Sequence, residues 1–214
     1  MNLIIEQGNT SSKVAIYDEE GCVVTSFVFK EFNVCRIVPL FEEYDLNYGI
    51  LSSVIEVDQE LLSFLDEHLQ KFIFLNEPVA LPITIQYETP ETLGQDRIAA
   101  AVGANYLQPG KNILVIDAGT AITYELMDHQ GIYRGGNISP GMSTRFKALN
   151  HYTNKLPLVE EKEEIPLLGT TTETAIQAGV VNGIVYEMEG YIREFQEKYP
   201  DLLVFFNRWS FVLF

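Results

Sequence analysis

Short apolar runs separated by polar turns organise the chain from its first residues. Leu3-Ile4-Ile5 opens a strand that runs into the polar turn Glu6-Gln7-Gly8-Asn9-Thr10, and Val14-Ala15-Ile16-Tyr17 reads as the strand returning from it. Asp18-Glu19-Glu20-Gly21 is then a hairpin turn into a third strand, Cys22 to Phe29. Tyr48 to Val54 reads as a strand carrying Ser52-Ser53, and Asp58 caps a helix with apolar positions Leu61, Leu62, Phe64, Leu65 and Leu69. A helix returning onto a parallel strand is implied, and Phe72 to Leu75 fits that strand. Pro82 to Tyr87 reads as another, and the turn Thr89 to Arg97 leads into an Ala-rich helix, Ile98 to Tyr106. Asn112 to Thr123 repeats the opening pattern, with four apolar residues ending in Asp117, then Gly119, Thr120 and Thr123. Gly131 to Gly141 holds four glycines and a proline, a density that points to backbone crowding or substrate access, and ends at a helix, Met142 to Leu149. Leu158 to Leu168 has no period and reads as an exposed loop. Thr170-x-x-Glu173 is a capping box opening the longest helix, roughly Thr171 to Lys198. On that helix Gly179 and Gly183 leave a smooth stripe, suited to packing within the subunit or to a dimer interface.

The two strand-turn-strand stretches align. Glu6 and Asp117 are 111 residues apart, Gly8 and Gly119 are 111 apart, and the hairpin glycines Gly21 and Gly131 are 110 apart. An internal duplication is the simplest reading, and it divides the chain into halves 1–110 and 111–214.

Composition narrows the partners more than the fold. With 47% hydrophobic residues the 214-residue chain has ample material for a core. Fourteen basic against 30 acidic residues give a net charge of −16, so a nucleic-acid backbone or an anionic membrane would meet a repulsive field. Neither is expected as a partner. Cys22 and Cys35 have no metal-ligand spacing and read as reduced thiols, His68, His129 and His151 read as surface residues, and no apolar run approaches the length of a membrane span. A cytoplasmic protein is expected.

An acidic-x-Gly turn after a strand is common punctuation. Two of them, each heading its own half, are what a cleft kinase needs to cradle the two ends of a triphosphate. Asp96-Arg97, at a loop-to-helix junction, reads either as a carboxylate favoured by the helix dipole beside a surface cation, or as chemistry. Taken in order, Gly8-Asn9-Thr10, Ser52-Ser53-Val54, Gly94-x-Asp96-Arg97, Asp117-x-Gly119-Thr120-Ala121-x-Thr123, Gly135-Gly136-x-Ile138-x-Pro140-Gly141, and Gly169-x-x-Thr172 with Ala175-Ile176 make the chain similar to type III pantothenate kinases. These belong to the acetate and sugar kinase, Hsp70 and actin superfamily. The resemblance implies an α/β fold of the duplicated actin-like (ribonuclease H-like) type, two α/β domains around a cleft. It implies ATP-dependent phosphorylation of pantothenate, the first step of coenzyme A biosynthesis, by a homodimer using Mg²⁺ or another divalent cation and a monovalent cation, K⁺ or NH₄⁺.

On that resemblance Asp96 orients the substrate hydroxyl. Gly94, Arg97, Thr172 and Tyr87 hold pantothenate, Gly8, Asn9, Thr10, Gly119, Thr120 and Thr123 face ATP, and Glu6 and Asp117 serve the metal, largely through its waters. The chain departs from the family pattern at Glu6 and Glu125, where Asp is usual. It departs again at Phe206-Asn207-Arg208-Trp209, where a strand ending in Thr-Gly-Gly is expected. One extra base in a Phe codon run converts Phe-Leu-Thr-Gly-Gly-His-Leu-Phe-Phe into Phe-Phe-Asn-Arg-Trp-Ser-Phe-Val-Leu, the residues at Phe205 to Leu213. A frameshift origin and weakened ATP binding are therefore expected. Another kinase of the superfamily is argued against by Gly94-x-Asp96-Arg97, and a catalytically degenerate binding or regulatory homologue is the alternative.

Overall fold

In the first strand, β1 (Asn2–Gln7), Leu3, Ile5 and Gln7 point inward while Ile4 and Glu6 do not, the period of two that a half-buried strand requires. The computed structural model describes residues 1–75, 79–162 and 164–207. β1 pairs antiparallel with β2 (Ser12–Tyr17), which pairs with β3 (Val23–Phe29). After α1 (Val34–Glu43), β4 (Tyr48–Ser53) lies parallel to β1, and after α2 (Gln59–His68), β5 (Lys71–Phe74) lies parallel to β4. Asp58 caps α2 as expected, accepting from the Glu60 amide at 3.0 Å. The sheet order β3-β2-β1-β4-β5 presents Leu3, Ile5, Val14, Ile16 and Leu51 to Ile37 and Leu40 of α1 and to Leu61 and Leu65 of α2. Each such side chain stabilises by roughly 1.5–3 kcal/mol when taken out of water.

The chain divides into two compact units, residues 1–81 with 92–99 and residues 82–91 with 100–214. The division is not a single cut, because the short β6 (Thr84–Ile85) pairs with a strand almost fifty residues later, and because it passes through α3 (Gln95–Leu107). The expected strand Pro82 to Tyr87 shrinks to those two residues of β6, and the helix expected from Ile98 begins three residues earlier, taking Asp96 and Arg97 into its first turn.

In the second unit β7 (Ile113–Ala118) pairs antiparallel with β8 (Ala121–Met127), and β8 with β9 (Ile132–Pro140). The glycine-rich stretch is thus a nine-residue strand. α4 (Met142–Tyr152) and α5 (Thr172–Lys198) follow, and β10 (Leu203–Asn207) returns parallel to β7. The order is β10-β7-β8-β9-β6. α5, about 40 Å long at the standard rise, packs Ile176, Val180 and Val181 with Phe146 of α4, and lays Ile184, Met188, Tyr191 and Phe195 on Leu114, Ile116, Ile122, Tyr124 and Leu126 of the sheet. Its cap falls one residue later than the sequence pattern indicates. Thr171 and Thr174 cap each other reciprocally, while Glu173 pairs with Lys162 at 2.9 Å on the surface. A threonine hydroxyl at the third helical position does the work that the capping-box pattern assigns to a carboxylate. Gly179 and Gly183 have nothing within 4 Å of where a Cβ would stand, so among the described residues no other element uses their stripe.

The duplication extends to individual hydrogen bonds. Asp18 Oδ1 accepts from the amides of Glu20 and Cys22 (3.0 and 2.8 Å), and Asp128 Oδ1 accepts from those of Gln130 and Ile132 (2.9 and 3.0 Å). Each hairpin closes on a glycine in the left-handed region, Gly21 at φ 82° and Gly131 at φ 74°, and each has a register shift just before its aspartate, at Ile16/Tyr17 and Leu126/Met127. The step from 111 to 110 residues has a location: Glu6 faces Lys13 across the first turn, whereas Asp117 faces Thr123, so the second turn is one residue shorter. β4 and β10 are also equivalent, since Ser52 lies beside Glu6 and Asn207 beside Asp117.

No described helix is long and apolar enough to cross a membrane. Cys22 and Cys35 are free and exposed.

Candidate active site

On the first unit, the turn between β1 and β2 closes through a hydrogen bond from the Gly8 amide to the Ser11 carbonyl, 3.0 Å, and leaves Asn9 and Thr10 exposed. A Cβ on Gly8 would sit 3.2 Å from that carbonyl, which explains why the tightest point of the turn carries no side chain. Glu6 is not an open carboxylate: its Oε2 lies 3.2 Å from Lys13 Nζ on the neighbouring strand. A divalent ion here would compete with an ammonium for that oxygen, which fits a role through water better than direct ligation. Among the described residues no three His, Cys, Asp or Glu side chains converge as a metal cage.

Asp96 occupies the first turn of α3, where a carboxylate is favoured by the helix dipole. Gly94 accepts the first helical hydrogen bond, from Ile98 at 3.1 Å, and a Cβ on it would overlap Asp96 Oδ1. The Gly94-x-Asp96 spacing therefore packs a carboxyl oxygen against bare backbone. Arg97 is 7% exposed and engaged within the fold, so the reading of it as a surface cation does not hold.

On the second unit, Gly119 and Thr120 form the turn between β7 and β8, closed from the Gly119 amide to the Ala121 carbonyl at 2.9 Å. The Thr120 carbonyl accepts twice, from the Gly141 amide at 2.9 Å and from Thr144 Oγ1 at 2.7 Å. Gly141 is indispensable to this contact, since a Cβ there would run into the Gly119 carbonyl oxygen and stand 2.7 Å from that of Thr120. Asp117 and Thr123 are cross-strand neighbours, with Glu125 two residues further along the same face of β8. Glu125 is completely buried and accepts from Tyr133 Oη at 2.5 Å, and Tyr87 meets the Tyr133 ring edge-on, 6.1 Å between centroids. Asp117, Thr123 and Tyr87, three residues picked out by sequence for three different roles, are thus linked along one side of one sheet. Thr172 is the first residue of α5, exposed beside its cap.

Sequence reasoning passed over the groups behind the second turn. Glu187 Oε1 accepts from Tyr124 Oη (2.8 Å) and Ser139 Oγ (2.5 Å), and its Oε2 accepts from Arg145 (2.6 Å). Burial alone would raise the Glu187 carboxyl, but donation from Ser139, Arg145 and Tyr124 holds it below the usual carboxylate range. Tyr124 is pushed up by its burial and by the same carboxylate. The only available signal was Arg145 standing four residues after Gly141, one helical turn from the strand end. A cavity of about 670 Å³, lined in part by Asp128, His129, Arg134, Gly135, Lys198 and Tyr199, lies at the other end of β8 and β9 from the Gly119–Thr120 turn.

A duplicated α/β fold with one glycine turn heading each half is the actin-like architecture. The structure of a putative 2-dehydro-3-deoxygalactonokinase from Sinorhizobium meliloti superposes with a TM-score of 0.55 at 11% identity, covering 97% of this chain and 94% of that one, a likeness of fold. Residues 2–194 match the family model of type III pantothenate kinase, and the chain belongs to that family. It is 48% identical over 205 residues to the type III pantothenate kinase of Phocaeicola vulgatus and 46% identical over 205 residues to that of Bacteroides fragilis, in each case spanning 96% of this chain and 84% of the relative.

Proposed function

We propose that the chain transfers the γ-phosphoryl group of ATP to the terminal hydroxyl of pantothenate. The family match over residues 2–194, in a fold that carries the duplicated turn, supports this reading most directly. Phosphoryl transfer passes through a loose transition state, so placement of the nucleophile and neutralisation of charge matter more than a strong base. Asp96 orients the hydroxyl and receives its proton. Arg97, Gly94, Tyr87 and Thr172 hold pantothenate, with Arg97 answering its carboxylate or amide oxygens. Gly8, Asn9 and Thr10 on one unit and Gly119, Thr120 and Thr123 on the other serve the nucleotide. A divalent cation, Mg²⁺ in this reading, supplies charge neutralisation on the phosphates, with Glu6 and Asp117 binding its water shell. The monovalent cation is K⁺ or NH₄⁺, and the protein works in the cytoplasm as a homodimer. For the dimer, the open face formed by Gly179, Gly183 and exposed Tyr186 on α5 offers a surface of suitable shape.

The test is a coupled assay with ATP and pantothenate on the parent chain and on Asp96→Asn. Loss of a positioned proton acceptor should cost on the order of 10²–10⁴ in kcat with an unchanged circular dichroism spectrum. Near-parental turnover by the variant would remove Asp96 from the chemistry.

A further inference from the structure

The Thr120 carbonyl is the best-anchored point of the Gly119–Thr120 turn, and both groups that anchor it lie at the start of α4, next to one ion pair. Gly141 and Thr144, its two donors, lie at the cap and in the first turn of α4. The same helix start is held by Arg145, whose Nε donates to the Pro140 carbonyl at 2.7 Å and whose Nη2 reaches Ser139 Oγ at 3.3 Å. Arg145 is in turn held by Glu187 Oε2 at 2.6 Å, in the middle of α5, with both side chains about three-quarters buried (21% and 25% exposed). Because a trans peptide is planar, fixing the Thr120 carbonyl also fixes the direction of the Ala121 N–H on the opposite edge. α5 therefore reaches the turn by an unbroken series of short polar contacts.

We propose that Thr144, Arg145 and Glu187 are positioning residues for the Gly119–Thr120 turn: Glu187 orients Arg145, Arg145 fixes Pro140 and the start of α4, and α4 holds the Thr120 carbonyl through Gly141 and Thr144. The functional consequence rests on the reading that this turn meets the ATP phosphates. A displacement of the turn of about 1 Å is enough to cost a positioned reaction on the order of 10²-fold.

Hydrogen exchange read by mass spectrometry on segments 117–124, 139–146 and 172–181 tests it, in the parent chain, Thr144→Val, Thr144→Ser and Glu187→Gln, alongside kinetics with ATP and pantothenate. Thr144→Val should speed exchange in 117–124 by roughly tenfold, the effect of one lost hydrogen bond, with 172–181 unchanged. Thr144→Ser, which keeps the hydroxyl, should restore the parental rate. Glu187→Gln should speed 139–146 and 117–124 together. In turnover, Thr144→Val should raise KM for ATP severalfold and leave KM for pantothenate in place. Parental exchange in 117–124 of Thr144→Val, or equal loosening of all three segments by Glu187→Gln, overturns the proposal. A parent chain without turnover would count against the kinase reading alone, since the exchange comparison still decides the positioning.

Discussion

Asp18 and Asp128, 110 residues apart, close equivalent hairpins with the same two amide hydrogen bonds, yet only Asp128 also pairs with an arginine. Asp128 is 4% exposed and lies 2.5 Å from Arg134 Nη2, whereas the amide bonds of Asp18 face solvent. Asp128→Ala should therefore destabilise by about 2–3 kcal/mol, because it leaves the Gln130 and Ile132 amides and the Arg134 guanidinium without their acceptor, and Asp18→Ala by about 1 kcal/mol. Urea unfolding of the two variants checks the ranking, and equal losses would contradict it.

Acid should destabilise the second unit through Asp128 and Glu187. Burial would raise the Asp128 carboxyl, but the Ile132 amide, Arg134 and the Gln130 amide outweigh it, and the net effect is a lowered pKa, as at Glu187. A depressed folded-state pKa gives stability that is present above the ordinary values of 3.8 and 4.5 and is lost as pH falls through the folded values. The parent chain should lose stability on acidification below those values more steeply than Glu187→Gln, which has no such proton to take up. Thermal unfolding across that range provides the measurement.

Gly94→Ala and Gly141→Ala should fail in different ways. At Gly94 the new methyl meets the end of a rotatable side chain, Asp96 Oδ1, so the carboxyl swings aside: kcat should fall at least tenfold while the melting temperature holds within a few degrees. At Gly141 the methyl meets backbone, the carbonyls of Gly119 and Thr120. That cannot rotate away, and a loss of about 2–3 kcal/mol of stability should accompany loss of turnover.

Asn207 pairs beside Asp117 as Ser52 pairs beside Glu6, and the residues that the sequence reading contrasts with Thr-Gly-Gly begin there. The segment 208–214 lies outside the described residues. Replacing Phe206-Asn207-Arg208-Trp209 by Leu-Thr-Gly-Gly should tighten ATP binding at least tenfold, as measured by calorimetry, because glycine lets backbone approach a phosphate where a side chain cannot. Unchanged affinity would show that this stretch has no part in nucleotide binding.

Much of the architecture was legible because its signals are local. The apolar runs of β1 and β7, the turn residues at Asp18 and Asp128, the Asp58 cap and the 3.6-residue period of α2 are each set within a few residues, and the repeat multiplies them. What the local pattern missed was decided by partners remote in sequence. Thr171 rather than Thr170 caps α5 because the Thr174 hydroxyl is in reach, and β6 is short because only Thr84 and Ile85 find β9.

By itself, the sequence determined that this chain is a duplicated α/β protein of the type III pantothenate kinase family, since strand periodicity and motif order survive without any long-range contact. The tertiary structure alone decided how the second turn is held. Arg145 and Glu187 are separated by 42 residues, and neither carries a local pattern that predicts the other. Their pairing exists only because α5 crosses the sheet at Tyr124 and Ser139, bringing a carboxylate to the place where the strand ends and α4 begins.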